Sequence, residues 1–188
     1  MCLLPRSTLV RQGAEVREKM KVIATGLAAT GLALGVSLAL APSASAQSGY
    51  ANVISNDMSR CAPGKGPAVR VRISGLKNGA GNLYVRTYYA KGSDWLKSKR
   101  YLTRVNAKPR AGAVTVCVPV PKAGSYAIAV QHDINGNRKT DFSVDGGGIS
   151  NNVAIKRILG IPRPPSVKKA AFTVGDGVKK LSIAVKYP

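Results

Sequence analysis

The stretch of this 188-residue chain with the most chemical potential runs His132-Asp133-Ile134-Asn135-Gly136-Asn137-Arg138-Lys139-Thr140-Asp141. Side-chain oxygens at Asp133, Asn135, Asn137 and Asp141 fall on the first, third, fifth and ninth positions of a loop, and Asp145 adds a further carboxylate. Calcium takes about six to eight such oxygens, some from backbone carbonyls, so it is the cation this spacing could hold. The EF-hand pattern is not met. Gly136 stands at the fourth position rather than the sixth, and the twelfth is Val144 rather than Glu. Arg138 and Lys139 also bring two positive charges to the loop. A calcium site here would therefore be weak, with a Kd on the order of 10⁻⁴–10⁻³ M, as in extracellular modules. The competing reading is a connection whose Asp and Asn side chains bond back to their own backbone as Asx-turns.

Acid–base and nucleophilic chemistry find less material. His132 is the one histidine, and it closes an apolar run, where bonding a carbonyl at a strand end is the expected role. A dyad with Asp133 is excluded, because adjacent residues on a strand point to opposite faces. Ser143, Ser150 and Ser166 lack a GxSxG elbow. A non-catalytic protein is expected, with a small envelope enzyme as the alternative.

Basic residues are the other resource: 29 Lys and Arg face 8 Asp and Glu, a net charge of +21. The candidates for a surface that attracts polyanions are Arg70, Arg72 and Arg86 on strand faces, with Lys97, Lys99 and Arg100 in a cluster. Anionic envelope lipids and acidic polysaccharide are the partners this suggests. Tyr84, Arg86 and Tyr88 form a basic–aromatic stripe that could stack bases. An exported domain seldom meets nucleic acid, and no specific nucleic-acid role is expected.

Export is read from the N-terminus. Lys21 precedes an uncharged run from Val22 to Leu40, then Pro42 and Ala44-Ser45-Ala46. That order is expected of a secretory signal peptide over residues 1–46, cleaved before Gln47, with an uncleaved membrane anchor as the alternative. Residues 1–19 are expected to be an upstream mis-start, because Met20-Lys21 opens a compact leader. Cleavage leaves no membrane-spanning segment and places the protein in the periplasm or outside the cell. The leader takes five basic and two acidic residues, leaving 24 and 6, a net of +18 with no Glu. Cys2 leaves with it. Of the two remaining thiols, Cys61 and Cys117 are expected to pair in an oxidising compartment. Two buried free thiols are the alternative. The bridge would stabilise by roughly 3–4 kcal/mol through loop closure.

These residues need elements to position them. Residues 47–66 read as a polar arm tied down at Cys61, followed by one domain over 67–188. From Val69 the apolar period is two. Val69, Val71 and Ile73 alternate with Arg70, Arg72 and Ser74. Asn78-Gly79 signals a hairpin into a strand over Leu83 to Tyr89. Residues 91–99 break the pattern with a helical turn around Trp95. A weaker strand follows near Arg100 to Asn106. Val114, Val116, Val118 and Val120 share a face with Cys117 on the other, and Tyr126, Ile128 and Val130 mark the next strand. A short strand over Ser150 to Lys156 and an extended connector over Pro162 to Pro165 are predicted. A closing hairpin around Gly175-Asp176-Gly177 joins Ala170–Val174 to Leu181–Tyr187. Seven to eight short strands without a long amphipathic helix predict an all-β, antiparallel β-sandwich, immunoglobulin-like or transthyretin-like. A small closed barrel is the alternative.

The run Tyr126-Ala127 … His132-Asp133-Ile134-Asn135-Gly136-Asn137 … Asp141 resembles a bacterial family of exported proteins catalogued as domain of unknown function 2141. Gly146 to Ile149, Ser150-Asn151-Asn152, Pro165-Ser166 and Ala170-Ala171-Phe172 agree with it, as does a last strand ending in Tyr187. The resemblance implies a single secreted or periplasmic β-sandwich domain and carries no catalytic residues. Arg138 and Val167 depart from the family pattern. The combined expectation is a non-catalytic binding or structural module of the cell envelope without a cofactor. A calcium-supported adhesion or carbohydrate-binding domain is the alternative.

Overall fold

The structure is a computed structural model that describes residues 49–159 and 161–188. The leader reading over residues 1–46 and the start at Met20 lie outside the described residues. Among the described residues, no helix is long and apolar enough to cross a membrane.

The chain forms β1 (Asn52–Ser55), β2 (Ala68–Leu76), β3 (Asn82–Tyr89), β4 (Thr103–Ala107), β5 (Gly112–Pro119), β6 (Gly124–Asp133) and β7 (Gly146–Ile149). After them come β8 (Lys156–Ile158), β9 (Ile161–Arg163), the one-turn helix α1 (Val167–Ala170), β10 (Phe172–Val174) and β11 (Val178–Ala184). Nine strands make two open sheets. One has the order β1-β4-β3-β6-β10, with β7 sharing the outer edge of β6, and the other has the order β11-β2-β5. The pairs β2–β5 and β3–β6 lie one in each sheet, so the chain crosses between layers from β2 to β3 and again from β5 to β6. The all-β sandwich is therefore as expected, and the sheets do not close into a barrel.

The period-two pattern decides what faces inward. Val69, Val71, Ile73, Val116, Val118 and Ile183 from one sheet meet Leu83, Val85, Val105, Tyr126, Ile128 and Val130 from the other. Each fully buried aliphatic side chain contributes about 1.5–3 kcal/mol. A smaller cluster covers the outer face of the six-stranded sheet, where Tyr88 and Trp95 pack with Ala127, Ile149, Val167 and Ala170. The turn that carries Trp95 closes with its N–H donating to the Lys91 carbonyl at 3.0 Å, and its indole donates to the Pro165 carbonyl at 2.9 Å.

The structure corrects four local expectations. Asn78-Gly79 does not join a hairpin, because β2 and β3 belong to different sheets. The five residues from Lys77 to Gly81 cross the gap of about 10 Å between layers, which a two-residue turn cannot span. Asn78 instead holds an Asx-turn, its Oδ1 accepting from the Ala80 N–H at 3.0 Å. Gly175 to Gly177 likewise crosses between layers. β10 pairs antiparallel with β6, while β11 pairs parallel with β2. The strand expected over Ser150 to Lys156 is a 3₁₀ turn, and the strand lies just before it at β7. There the absence of side chains at Gly146 and Gly148 admits close packing: a Cβ on Gly148 would meet Ile183 at 2.8 Å and the Ala184 carbonyl at 2.9 Å. The arm is also more than an arm, because β1 adds a parallel edge strand beside β4.

β8 and β9 form a separate two-stranded hairpin. Ile158 pairs with Ile161, and Leu159 next to Ile158 has a φ of 51°. A leucine held in the left-handed region costs on the order of 1–2 kcal/mol. Asn, Asp or Gly would be at ease in such a turn.

Candidate functional site

β6 ends at Asp133, which is fully buried. Its Oδ2 accepts the Arg138 N–H at 2.9 Å and the Asn82 amide at 3.3 Å, while Oδ1 is buried without a partner. Asp145 is buried too. Its Oδ2 accepts the Asp141 N–H at 3.0 Å and the Gln131 amide at 2.9 Å, and its Oδ1 accepts the Ile134 N–H at 3.3 Å. Asn135 accepts from the Asn137 N–H at 3.1 Å, and Asn137 from the Lys139 N–H at 2.8 Å. Asp141 accepts from the Ser143 N–H at 3.0 Å and its hydroxyl at 2.6 Å, and those bonds hold its carboxyl below the ordinary carboxylate range. Each of the five candidate oxygen donors thus spends at least one oxygen on loop backbone. Among the described residues, no group of three or more His, Cys, Asp or Glu side chains is placed to hold a metal ion.

His132 is fully buried. Its Nε2 lies 2.9 Å from the Ala80 carbonyl and its Nδ1 2.6 Å from the Tyr187 hydroxyl. A carbonyl can only accept, so the proton sits on Nε2, and Nδ1 accepts from Tyr187. Ser150 is also buried, its hydroxyl donating to the Ala170 carbonyl and accepting the Ile128 N–H. Cys61 and Cys117 form a disulfide.

The six basic candidates do not share one surface. Arg70 and Arg72 lie on the outer face of β2, with Lys180 opposite Arg70, on the three-stranded sheet. Arg70 is partly used, donating to the Cys61 carbonyl at 2.9 Å. Lys97 and Lys99 are exposed on the connection before β4. Arg100, on the same connection, is committed to Asp94, with contacts to its Oδ1 at 3.0 and 2.6 Å. Asp94 is fully buried, and its Oδ2 accepts from the Tyr50 hydroxyl at 2.9 Å. Burial pushes the Asp94 carboxyl up, but the bonds from Arg100 and Tyr50 outweigh it and hold it below its ordinary value. A depressed folded-state pKa stabilises the fold above the unfolded value, near pH 4, and that stability is lost as pH falls through the folded value. The melting midpoint is therefore expected to hold from pH 7 to about pH 5 and then fall toward pH 2. Asp94→Asn should cost about 2 kcal/mol at pH 7 and flatten the acid limb, as read by calorimetry across that range.

Arg86 sits differently. On the outer face of β3 it lies directly opposite Arg104 of β4. Like charges placed this way repel. Tyr84 is buried beside both, with the Arg86 guanidinium 5.3 Å and the Arg104 guanidinium 5.1 Å from its ring centroid. Tyr101 flanks Arg104 at 5.9 Å. Burial pushes the Arg86 pKa down, and Arg104 pushes it the same way. Among the described residues, the ion pairs are Arg60–Asp57 and Arg100–Asp94, so neither Arg86 nor Arg104 has a carboxylate against it. Arg104 Nε is buried without a partner.

Gln131 links this shelf to the loop. Its Oε1 accepts from Arg86 at 3.0 Å, while its Nε2 donates to the Asp145 carboxylate and to the Lys139 carbonyl at 2.7 Å. Gln131, Arg104 and Tyr101 escaped the sequence reading. The available signal for Gln131 was one polar residue at an outward position of the apolar run of β6. Arg104 becomes visible only once the register of β3 and β4 is known.

No curated protein and no solved structure matches the chain. The family model described as "Uncharacterized protein conserved in bacteria (DUF2141)" matches residues 71–182, more than half of the chain and all of β3 to β10, and the chain belongs to that family.

Proposed function

We propose that this is an exported, non-catalytic binding domain of the bacterial cell envelope, periplasmic or secreted, whose ligand carries a phosphate or carboxylate group. The observation that supports it is the Arg86–Arg104 pair: two arginines at opposed register positions, both within about 5.3 Å of the Tyr84 ring, Arg104 also flanked by Tyr101, and neither with a carboxylate against it among the described residues. An arginine fork matches a pair of carboxylate or phosphate oxygens, and the low local dielectric strengthens the contact. An anion between the two would relieve their repulsion and satisfy Arg104 Nε.

The test is retention on an anionic polysaccharide matrix across a salt gradient. The double variant Arg86→Gln/Arg104→Gln is expected to weaken binding by about 100-fold or more, since it removes two charge-assisted bonds worth about 1.5–3 kcal/mol each. Its melting midpoint should stay level or rise, because the repulsion is gone. Arg72→Gln/Lys180→Gln on the opposite face serves as the control and should bind nearly as wild type. Salt-insensitive retention, or equal loss in the control, would contradict the assignment.

A second reading, a calcium-supported adhesion or carbohydrate-binding domain, is favoured by one atom, the buried and unpartnered Oδ1 of Asp133. On that reading several millimolar calcium raises the melting midpoint and Asp133→Asn abolishes the rise. No calorimetric heat together with an unchanged melting curve overturns it.

A further inference from the structure

The β8–β9 hairpin presents large apolar side chains to solvent: Leu159 is 96% exposed, Ile161 62% and Ile158 55%. Ile155 just before the hairpin is 39% exposed, and Phe142 in the adjoining loop is 56% exposed. Leu159 gains no burial there and holds an unfavourable left-handed backbone, at the turn where a polar residue or glycine would be more stable. Such an outlier points to function rather than to folding. Charge is distributed just as unevenly. From Gly146 to Gly175 there is no Asp or Glu, and five basic residues occur: Lys156, Arg157, Arg163, Lys168 and Lys169. Lys156 pairs with Arg163 across the base of the hairpin, and Arg157 lies one step nearer the tip. Arg157 also donates to the Phe142 carbonyl at 3.1 Å, tying the hairpin to the loop.

An apolar tip with cations immediately behind it has the same order of layers as a bilayer leaflet with anionic headgroups. Long basic side chains can reach headgroups while the tip enters the acyl boundary. We propose that the β8–β9 hairpin docks the domain on an anionic lipid surface, with Ile158, Leu159 and Ile161 inserted and Lys156, Arg157 and Arg163 against the headgroups. This goes beyond the arginine shelf, which takes an anionic group from any carrier, whereas the hairpin requires a bilayer.

The test is cosedimentation of the protein recovered from the envelope, its N-terminus checked by mass spectrometry, with vesicles. One set contains phosphatidylglycerol in phosphatidylcholine and the other phosphatidylcholine alone. Binding to the anionic vesicles is expected to be stronger by about ten-fold or more. Leu159→Asn/Ile161→Thr, residues suited to a hairpin turn and strand, should lose about ten-fold of that binding with no fall in melting midpoint. Leu159→Trp should show a blue-shifted emission on the anionic vesicles, over the Trp95 background. Leu159→Asn/Ile161→Thr should keep polysaccharide retention while losing vesicle binding, so that failure of the shelf and failure of the hairpin read differently. Wild-type binding by Leu159→Asn/Ile161→Thr, or an unshifted Leu159→Trp emission, overturns the proposal.

Discussion

The double replacement Cys61→Ala/Cys117→Ala is expected to lower the unfolding free energy by about 3–4 kcal/mol. In a domain of this size the melting midpoint should drop by about 10 °C. The bridge spans 56 residues of sequence, and both cysteines are buried. Its local effect is as specific as its entropic one. β5 is the edge of the three-stranded sheet, and the segment before Cys61 covers that edge. Asn56 stands in for a neighbouring strand, donating to the Thr115 carbonyl at 3.1 Å and accepting the Cys117 N–H at 3.0 Å. Loss of the bridge should therefore expose the β5 edge first. Hydrogen exchange should show Cys117 and its neighbours losing protection ahead of β3 and β6. Equal protection and an unchanged midpoint would show that Asn56 and β1 suffice to hold the arm.

Gly81→Ala is expected to cost about 2–5 kcal/mol, from overpacking of about 1–3 and a left-handed penalty of about 1–2. Gly81 has a φ of 68°, and a Cβ there would lie 1.9 Å from the Asp133 carbonyl oxygen. The backbone of the sheet-crossing turn packs against the start of the 133–145 loop, and nothing flexible can move aside. Thermal unfolding would measure the loss. Asn82, paired with Asp133 in register and bonded to its carboxylate, should show the first disturbance in amide spectra. A variant within about 1 kcal/mol of wild type would mean that the turn and the loop do not pack as described.

Strand spans were legible in the sequence because the period of two is strong in β2, β5 and β6, where valine and isoleucine alternate with polar or small residues. The partners of those strands were not. Asn78-Gly79 reads as a hairpin locally, and only the need to bury Ile73 and Leu83 from facing sheets turns it into a crossing. The parallel β11–β2 pair has no local signal at all, since a strand's direction relative to its neighbour is set by the connection before it. Gly146 to Gly148 looks like loop composition, yet β7 is a strand because glycine alone lets it lie so close to Ile183 and Ala184.

The chemistry was legible in part for the same reason. The loop residues could be named, because Asx spacing is local, and their oxygens bond within a few residues of themselves. The arginine shelf joins β3, β4 and β6, so its members are separated by tens of residues and by two unknown registers. The six basic candidates included Arg86 but not Arg104, and they grouped Arg100 with free cations although Asp94 holds it. Net charge indicates the sign of a partner, while a site needs two like charges forced together without a counter-ion.

That pair can be watched directly. During titration of the protein with inorganic phosphate, the Nε–H resonances of the arginine side chains report each guanidinium separately. Arg86 and Arg104 should shift together and saturate, with the unpartnered Arg104 Nε shifting most, while exposed Arg72 drifts weakly without saturation. Equal, non-saturating drifts at Arg72, Arg86 and Arg104 would contradict a built anion site and leave only a diffuse basic surface.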